Sequence, residues 1–140
     1  MIYDILEQKI TTSWADLTPG VSLFRHMLPS ECDFGVMTRG PSAGVVIDEY
    51  IPGWYKTDIQ VVTRHTDPVK GYNLASQIAR ALKVEAEEVY PPSEERDRTV
   101  IKVFQAKTLP IQFPRLEGNG YEFSQHFLAC FSFESIDRNL

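Results

Sequence analysis

The amino-acid sequence predicts one α+β domain: a mostly antiparallel sheet with two helices packed on one face. Three observations carry this. Two segments repeat apolar residues at three- and four-residue spacing. Two others alternate apolar and polar residues with a period of two. The segments follow one another as helix, strands, helix, strands, an order that suits an antiparallel sheet with its helices gathered on one side. The chain has 140 residues, the usual size of one domain, and a domain of this size buries roughly two-thirds of its unfolded surface without staples. A single domain over 1–140 follows, with long loops near 30–44 and 84–99.

The first helix is expected over residues 2–16. Ile2, Ile5, Leu6, Ile10 and Trp14 line one face, and Pro19-Gly20 ends the segment. That stripe packs on the sheet or, as the alternative, binds a partner. A short strand is expected from Val21 to Leu28. A long connection from Ser30 to Gly44 follows, with a short strand at Phe34 to Met37; long connections in small domains tend to be functional or mobile. Val45 to Tyr50 suits a strand, and Pro52-Gly53 a turn, because proline presets φ and glycine accepts a positive one. Tyr55, Thr57, Ile59, Val61 and Thr63 then share one face of a strand, and Lys56, Asp58, Gln60, Val62 and Arg64 the other.

Asp67-Pro68 opens the second helix. Asp67 can accept from a free backbone N–H, and Pro68 has none to leave unpaired. Tyr72, Ala75, Ile78, Ala79 and Leu82 form its apolar stripe. The acidic stretch Glu85–Asp97, with Pro91-Pro92, reads as a solvated loop, or else as an electrostatic contact for a basic partner. Thr99–Lys107 reads as a strand that Leu109–Phe113 extends past a kink at Pro110. Gly118-Asn119-Gly120 makes a turn. The run Tyr121–Phe133 gives the strongest strand signal: Tyr121, Phe123, Phe127, Ala129, Phe131 and Phe133 face one way, Glu122, Ser124, His126, Cys130 and Ser132 the other. The polar residues from Glu134 to Leu140 are expected to fray.

Composition narrows the function. The net charge is −5, which argues against non-specific nucleic-acid binding and favours solubility. No run approaches the roughly 18 apolar residues of a membrane span, and the N-terminus MIYDILEQKITTSW lacks the basic start and apolar run of a signal peptide. Cys32 and Cys130 read as reduced thiols suited to a reducing cytoplasm rather than a disulfide scaffold. There is no nucleophile elbow, no phosphate-cradling glycine loop, and no metal spacing linking His26, His65 and His126. Asp48, Glu49 and Asp58 could do acid–base work or hold a divalent ion, but charges on a strand's outer face also protect a sheet edge. No catalytic residue, metal or cofactor is expected.

The stretch GVMTRGPSAGVVIDEYIPGWYKTDIQVVTRHTDPVKGYNLASQIARALK, residues 35–83, resembles the minor capsid family of long-tailed bacteriophages whose members act as tail terminators. The resemblance lies in an arginine-containing loop, Ile47-Asp48, the Pro52-Gly53 turn, the strand Ile59–Arg64, Gly71, and a helix ending Ala81-Leu82. The closing Gly120-Tyr121 to Phe133 strand also fits. The resemblance implies a structural virion protein: a hexameric ring of like copies at the head-proximal end of the tail. The ring caps the tube of tail tube protein, stops its polymerisation and meets the head–tail connector protein, with no cofactor, nucleic-acid sequence recognition or membrane. Ring subunits join by head-to-tail patches. Arg39, Asp48, Asp58, Arg64 and the cluster Glu94, Glu95, Arg96, Asp97, Arg98 are the expected interface residues. Reversing the charge of Arg64 is expected to impair assembly and leave the fold intact. The alternatives are a head-completion or neck adaptor protein, a small soluble enzyme, and a module that binds peptides at a sheet edge.

Overall fold

A computed structural model describes residues 1–41, 44–45, 53–115 and 120–134. The described elements are α1 (Tyr3–Ser13), β1 (Leu23–Arg25), β2 (Gly35–Arg39), β3 (Trp54–His65), α2 (Pro68–Leu82), β4 (Glu88–Tyr90), β5 (Arg98–Ala106), β6 (Ile111–Pro114) and β7 (Tyr121–Glu134). The strands form one sheet in the order β1-β2-β3-β7-β5-β4, with β6 also paired to β7. Among the described strands, β1 and β2 pair in parallel and the other pairs are antiparallel. The α+β class and the mostly antiparallel sheet are as the sequence predicts.

The longest strand, β7, is the spine. Along one edge it pairs with all of β3, from Trp54↔Ser132 to His65↔Tyr121. Along the other it pairs first with β5 and then with β6. β6 therefore continues the line of β5 past a kink, as expected for Leu109–Phe113. A register shift between Ile101 and Val103 marks a bulge in β5, which bends the strand and raises its twist.

Alternation decides which face is covered. Ile59, Val61 and Thr63 of β3 and Phe123, Phe127, Ala129 and Phe131 of β7 are buried against the helices. Ile2, Ile5, Leu6 and Ile10 from the α1 segment and Ala75, Ile78 and Leu82 from α2 are buried on the same side. Phe104 stacks on Phe127 with ring centroids 5.1 Å apart, and a fully enclosed phenylalanine contributes about 1.5–3 kcal/mol of transfer free energy. The α1 stripe is thus core.

Asp67 caps α2 as the sequence suggests: its Oδ1 accepts from the N–H groups of Val69 at 2.9 Å and Lys70 at 3.2 Å. Those bonds, led by the one from Lys70, hold its carboxyl below the usual range. Gly71 lies where α2 crosses β7. A Cβ there would sit 2.3 Å from the ring of Phe123, so glycine sets how closely helix and sheet approach.

Three details depart from expectation. α1 stops at Ser13 and β1 covers only Leu23–Arg25. The acidic stretch is not all loop: β4 pairs with β5 inside it, and Val84 bridges Phe104. Three-residue strands carry too little alternation to register in a sequence. The strand expected over Val45–Tyr50 lies largely outside the described residues, as do most of the Gly118-Asn119-Gly120 turn, Pro52 and the tail after Glu134; Gly53 has φ +85°, the conformation its turn requires.

Candidate interface on the uncovered face of the sheet

The two described helices occupy one face, so among the described residues the opposite side chains have no helical cover. These include Asp58, Gln60, Val62 and Arg64 of β3 and Glu122, Ser124 and His126 of β7. Met37 and Arg39 of β2 stand across from Val62 and Gln60. Ile111 and Phe113 of β6 stand across from Ser124 and Glu122. All of these but Asp58 line a groove of about 480 Å³. Strands β2, β3 and β7 are its floor, β6 is one flank, and the His26–Leu28 segment after β1 is the other.

The rim carries unusual apolar exposure. Met27 is 70% exposed, Ile111 45% and Phe113 50%. All four residues of β6 are exposed. A hydrophobic edge strand of this kind invites pairing with another chain, but β6 is built against it. The Arg115 N–H donates to the Gly120 carbonyl, so the next pair, Pro114↔Tyr121, is a non-hydrogen-bonded one, and the N–H that Pro114 lacks would have pointed outward. What β6 offers is side chains.

His26 has φ +73°, a left-handed conformation that histidine tolerates better than most residues. Its N–H donates to the Thr38 carbonyl at 2.9 Å, and its ring meets the Tyr3 ring edge-on. These contacts hold the turn that carries Met27 into the groove rim.

Arg64 requires a correction. It is 7% exposed. One guanidinium nitrogen donates to the carbonyls of Pro29 at 2.6 Å and Cys32 at 2.8 Å, and the other reaches Glu122 at 3.2 Å. A reversed charge would face two carbonyl oxygens and a carboxylate, so the expectation that this substitution leaves the fold intact does not hold. Arg39, by contrast, is exposed and, among the described residues, its side chain bonds Gln60. Asp58 meets Lys107 at 2.8 Å with both side chains about half exposed, a pair of little consequence for stability. The uncovered face thus brings together Arg39, Asp58 and Arg64; Asp48 lies outside the described residues.

The 94–98 cluster falls elsewhere, and most of it is tied within the subunit. Arg96 grips Asp4 at 3.0 Å. Arg25 bridges Glu7 at 2.6 Å and Glu95 at 2.7 Å. The bond to Glu7, then that to Glu95, pushes the Arg25 guanidinium further up, while Arg25 holds the Glu95 carboxyl down. Arg98 pairs with Glu134. Glu94 and Asp97 are exposed and join no ion pair among the described residues, and the same holds for Glu87 beside β4. Next to them, burial opposes ionisation of Glu88, yet bonds from Lys9 and Tyr90 hold its carboxyl low. Burial, then the Glu88 bond, pushes the Tyr90 phenol well up. This end of the sheet carries several acidic side chains and the half-exposed Val89.

Among the described residues, no cluster of histidine, cysteine or carboxylate side chains has the makings of a metal site, and no helix is long and apolar enough to cross a membrane. Cys32 and Cys130 are both free.

One protein-family model, described as bacteriophage tail terminator protein, matches residues 11–130. The chain belongs to the bacteriophage tail terminator family. No curated protein matches it. The terminator is therefore a structural tail protein and a component of the virion, as the resemblance in residues 35–83 implied. The match runs from the end of α1 into β7 and so takes in both the groove and the acidic end of the terminator. Sequence reading missed Met27, Ile111 and Phe113. The signal available was apolar alternation in a strand too short, and too close to Pro110 and Pro114, to be buried.

Proposed function

We propose that the terminator assembles as a ring, hexameric by the family resemblance, at the head-proximal end of the tail. The ring caps the tube, stops addition of tube protein and offers the surface that meets the capsid connector. The observation that carries this reading is the uncovered sheet face with its exposed apolar rim, in a chain of this family. Isolated folded domains seldom leave an apolar groove open, and such surfaces mark contact sites. The role is assembly by shape and charge, without cofactor, catalysis, membrane or nucleic-acid recognition. Tube protein polymerised alone and with the terminator tests it, with tube length read by electron microscopy and terminator mass by light scattering. Tubes that stop at defined lengths with a ring at one tip support the reading. Tubes that grow unchecked overturn it, and terminator found only on the capsid vertex would make it a neck adaptor.

A further inference from the structure

We propose that the groove receives the acidic β4 end of the next copy of the chain. The inference rests on the ring reading and names its contact. The two patches lie at opposite ends of the spine. The groove floor includes Ser124, whereas Val89 of β4 stands, through Val100, in the row of Ser132. Eight residues of strand separate those rows, about 26 Å at ~3.3 Å per residue. The groove therefore cannot take its own β4, and a contact between unlike patches of successive copies is head-to-tail, the kind that closes a ring.

The patches complement each other in two ways. Val89 is 50% exposed, and in this contact it meets the exposed apolar rim of Met27, Ile111 and Phe113 on the next copy. Close to Val89 in the chain are Glu87, Glu94 and Asp97, exposed and in no ion pair among the described residues. The groove answers with the exposed cation Arg39, while the one carboxylate among its described lining residues, Glu122, is already taken by Arg64. Prolines limit edge-to-edge sheet extension at both sites, Pro114 at the end of β6 and Pro91-Pro92 directly after β4, which favours a contact made by side chains seated in the groove.

Charge reversal with exchange tests this on the full chain. Arg39→Glu spoils the groove, and Glu87→Lys with Glu94→Lys spoils the acidic end. All three positions are exposed, and circular dichroism checks that each variant is folded. Assembly is read by light scattering and native mass spectrometry, alone and with tube protein. Each variant alone is expected to lose assembled mass about tenfold or more at fixed concentration. An equimolar mixture is expected to recover it as alternating rings, because each reversed patch then meets its opposite. Variants that assemble like the native chain, or a mixture that stays unassembled, overturn the contact and leave the ring reading standing. A native chain that assembles neither alone nor on tubes removes both. Variants that form normal rings but fail to cap tubes show that the groove serves the tube, and also overturn the proposal.

Discussion

Replacing Gly71 with alanine should destabilise the protein, although alanine is the better helix former. The expected gain from helix propensity is about 1 kcal/mol. Against it stands a Cβ placed 2.3 Å and 2.9 Å from two carbons of the Phe123 ring and 3.0 Å from the His65 Cβ. Ordinary contact begins near 3.4 Å, so either the ring or the helix must shift by about 1 Å. Phe123 is fully enclosed, so its ring cannot swing out into solvent without cost. Overpacking of this kind costs about 1–3 kcal/mol. The clash outweighs the propensity gain because the approach is closest on a rigid ring, leaving a net loss of up to about 2 kcal/mol. For a domain of this length that lowers Tm by roughly 5 °C. Urea and thermal unfolding of Gly71→Ala measure the loss. Adding Phe123→Leu provides the control, since a smaller side chain makes room and the two changes should couple by about 1 kcal/mol. A Gly71→Ala protein as stable as the native one, or more so, would refute the claim that the glycine sets the distance between helix and sheet.

Arg64→Met should cost about 2–3 kcal/mol by removing charge-assisted bonds to two carbonyls, and should speed thiol labelling of Cys32 by loosening the 29–32 turn; unchanged labelling would show that other contacts hold that turn. Asp67→Asn keeps a capping oxygen but loses the anion. Because the folded-state carboxyl of Asp67 is held below its unfolded value, its contribution is present above the unfolded value and fades as pH falls through the folded one. The variant should therefore be less stable near neutrality and converge with the native protein in acid, as followed by denaturation at several pH values. Pro114→Thr restores an outward N–H to an exposed apolar strand. Its monomer stability should stay within about 0.5 kcal/mol, while light scattering detects added self-association.

Much of the fold was legible because its signals are local. The stripe Ile2, Ile5, Leu6, Ile10 belongs to one helix face whatever surrounds it. The alternation in Ile59–Thr63 and Phe123–Phe133 names the buried face of each strand without reference to partners. Asp67-Pro68 marks a helix start by its own chemistry. The candidate site was less legible because its meaning depends on distant neighbours. Arg64 sits on the polar side of its strand and reads as a surface charge, but the carbonyls it binds come from residues 29 and 32. Arg96 looks like part of an exposed charge run, yet its partner is Asp4, at the other end of the sequence. Arg39 and Asp58 do fall on the open face, as their positions in alternating strands suggest. The apolar rim went unseen because Ile111 and Phe113 are exposed, and nothing in a short apolar strand announces that it will stay uncovered.

The placement of β7 has a consequence for how the subunit comes into being. Strands β3 and β5 leave the ribosome before the segment that joins them, and neither pairs with the other. Until that segment arrives, the two halves of the sheet share no backbone hydrogen bonds and Phe104 lacks its stacking partner. Pairings between residues so far apart in sequence close large loops, and they slow folding. The subunit should therefore acquire its shape late and all at once, so that partly made chains have no finished groove with which to join a growing ring.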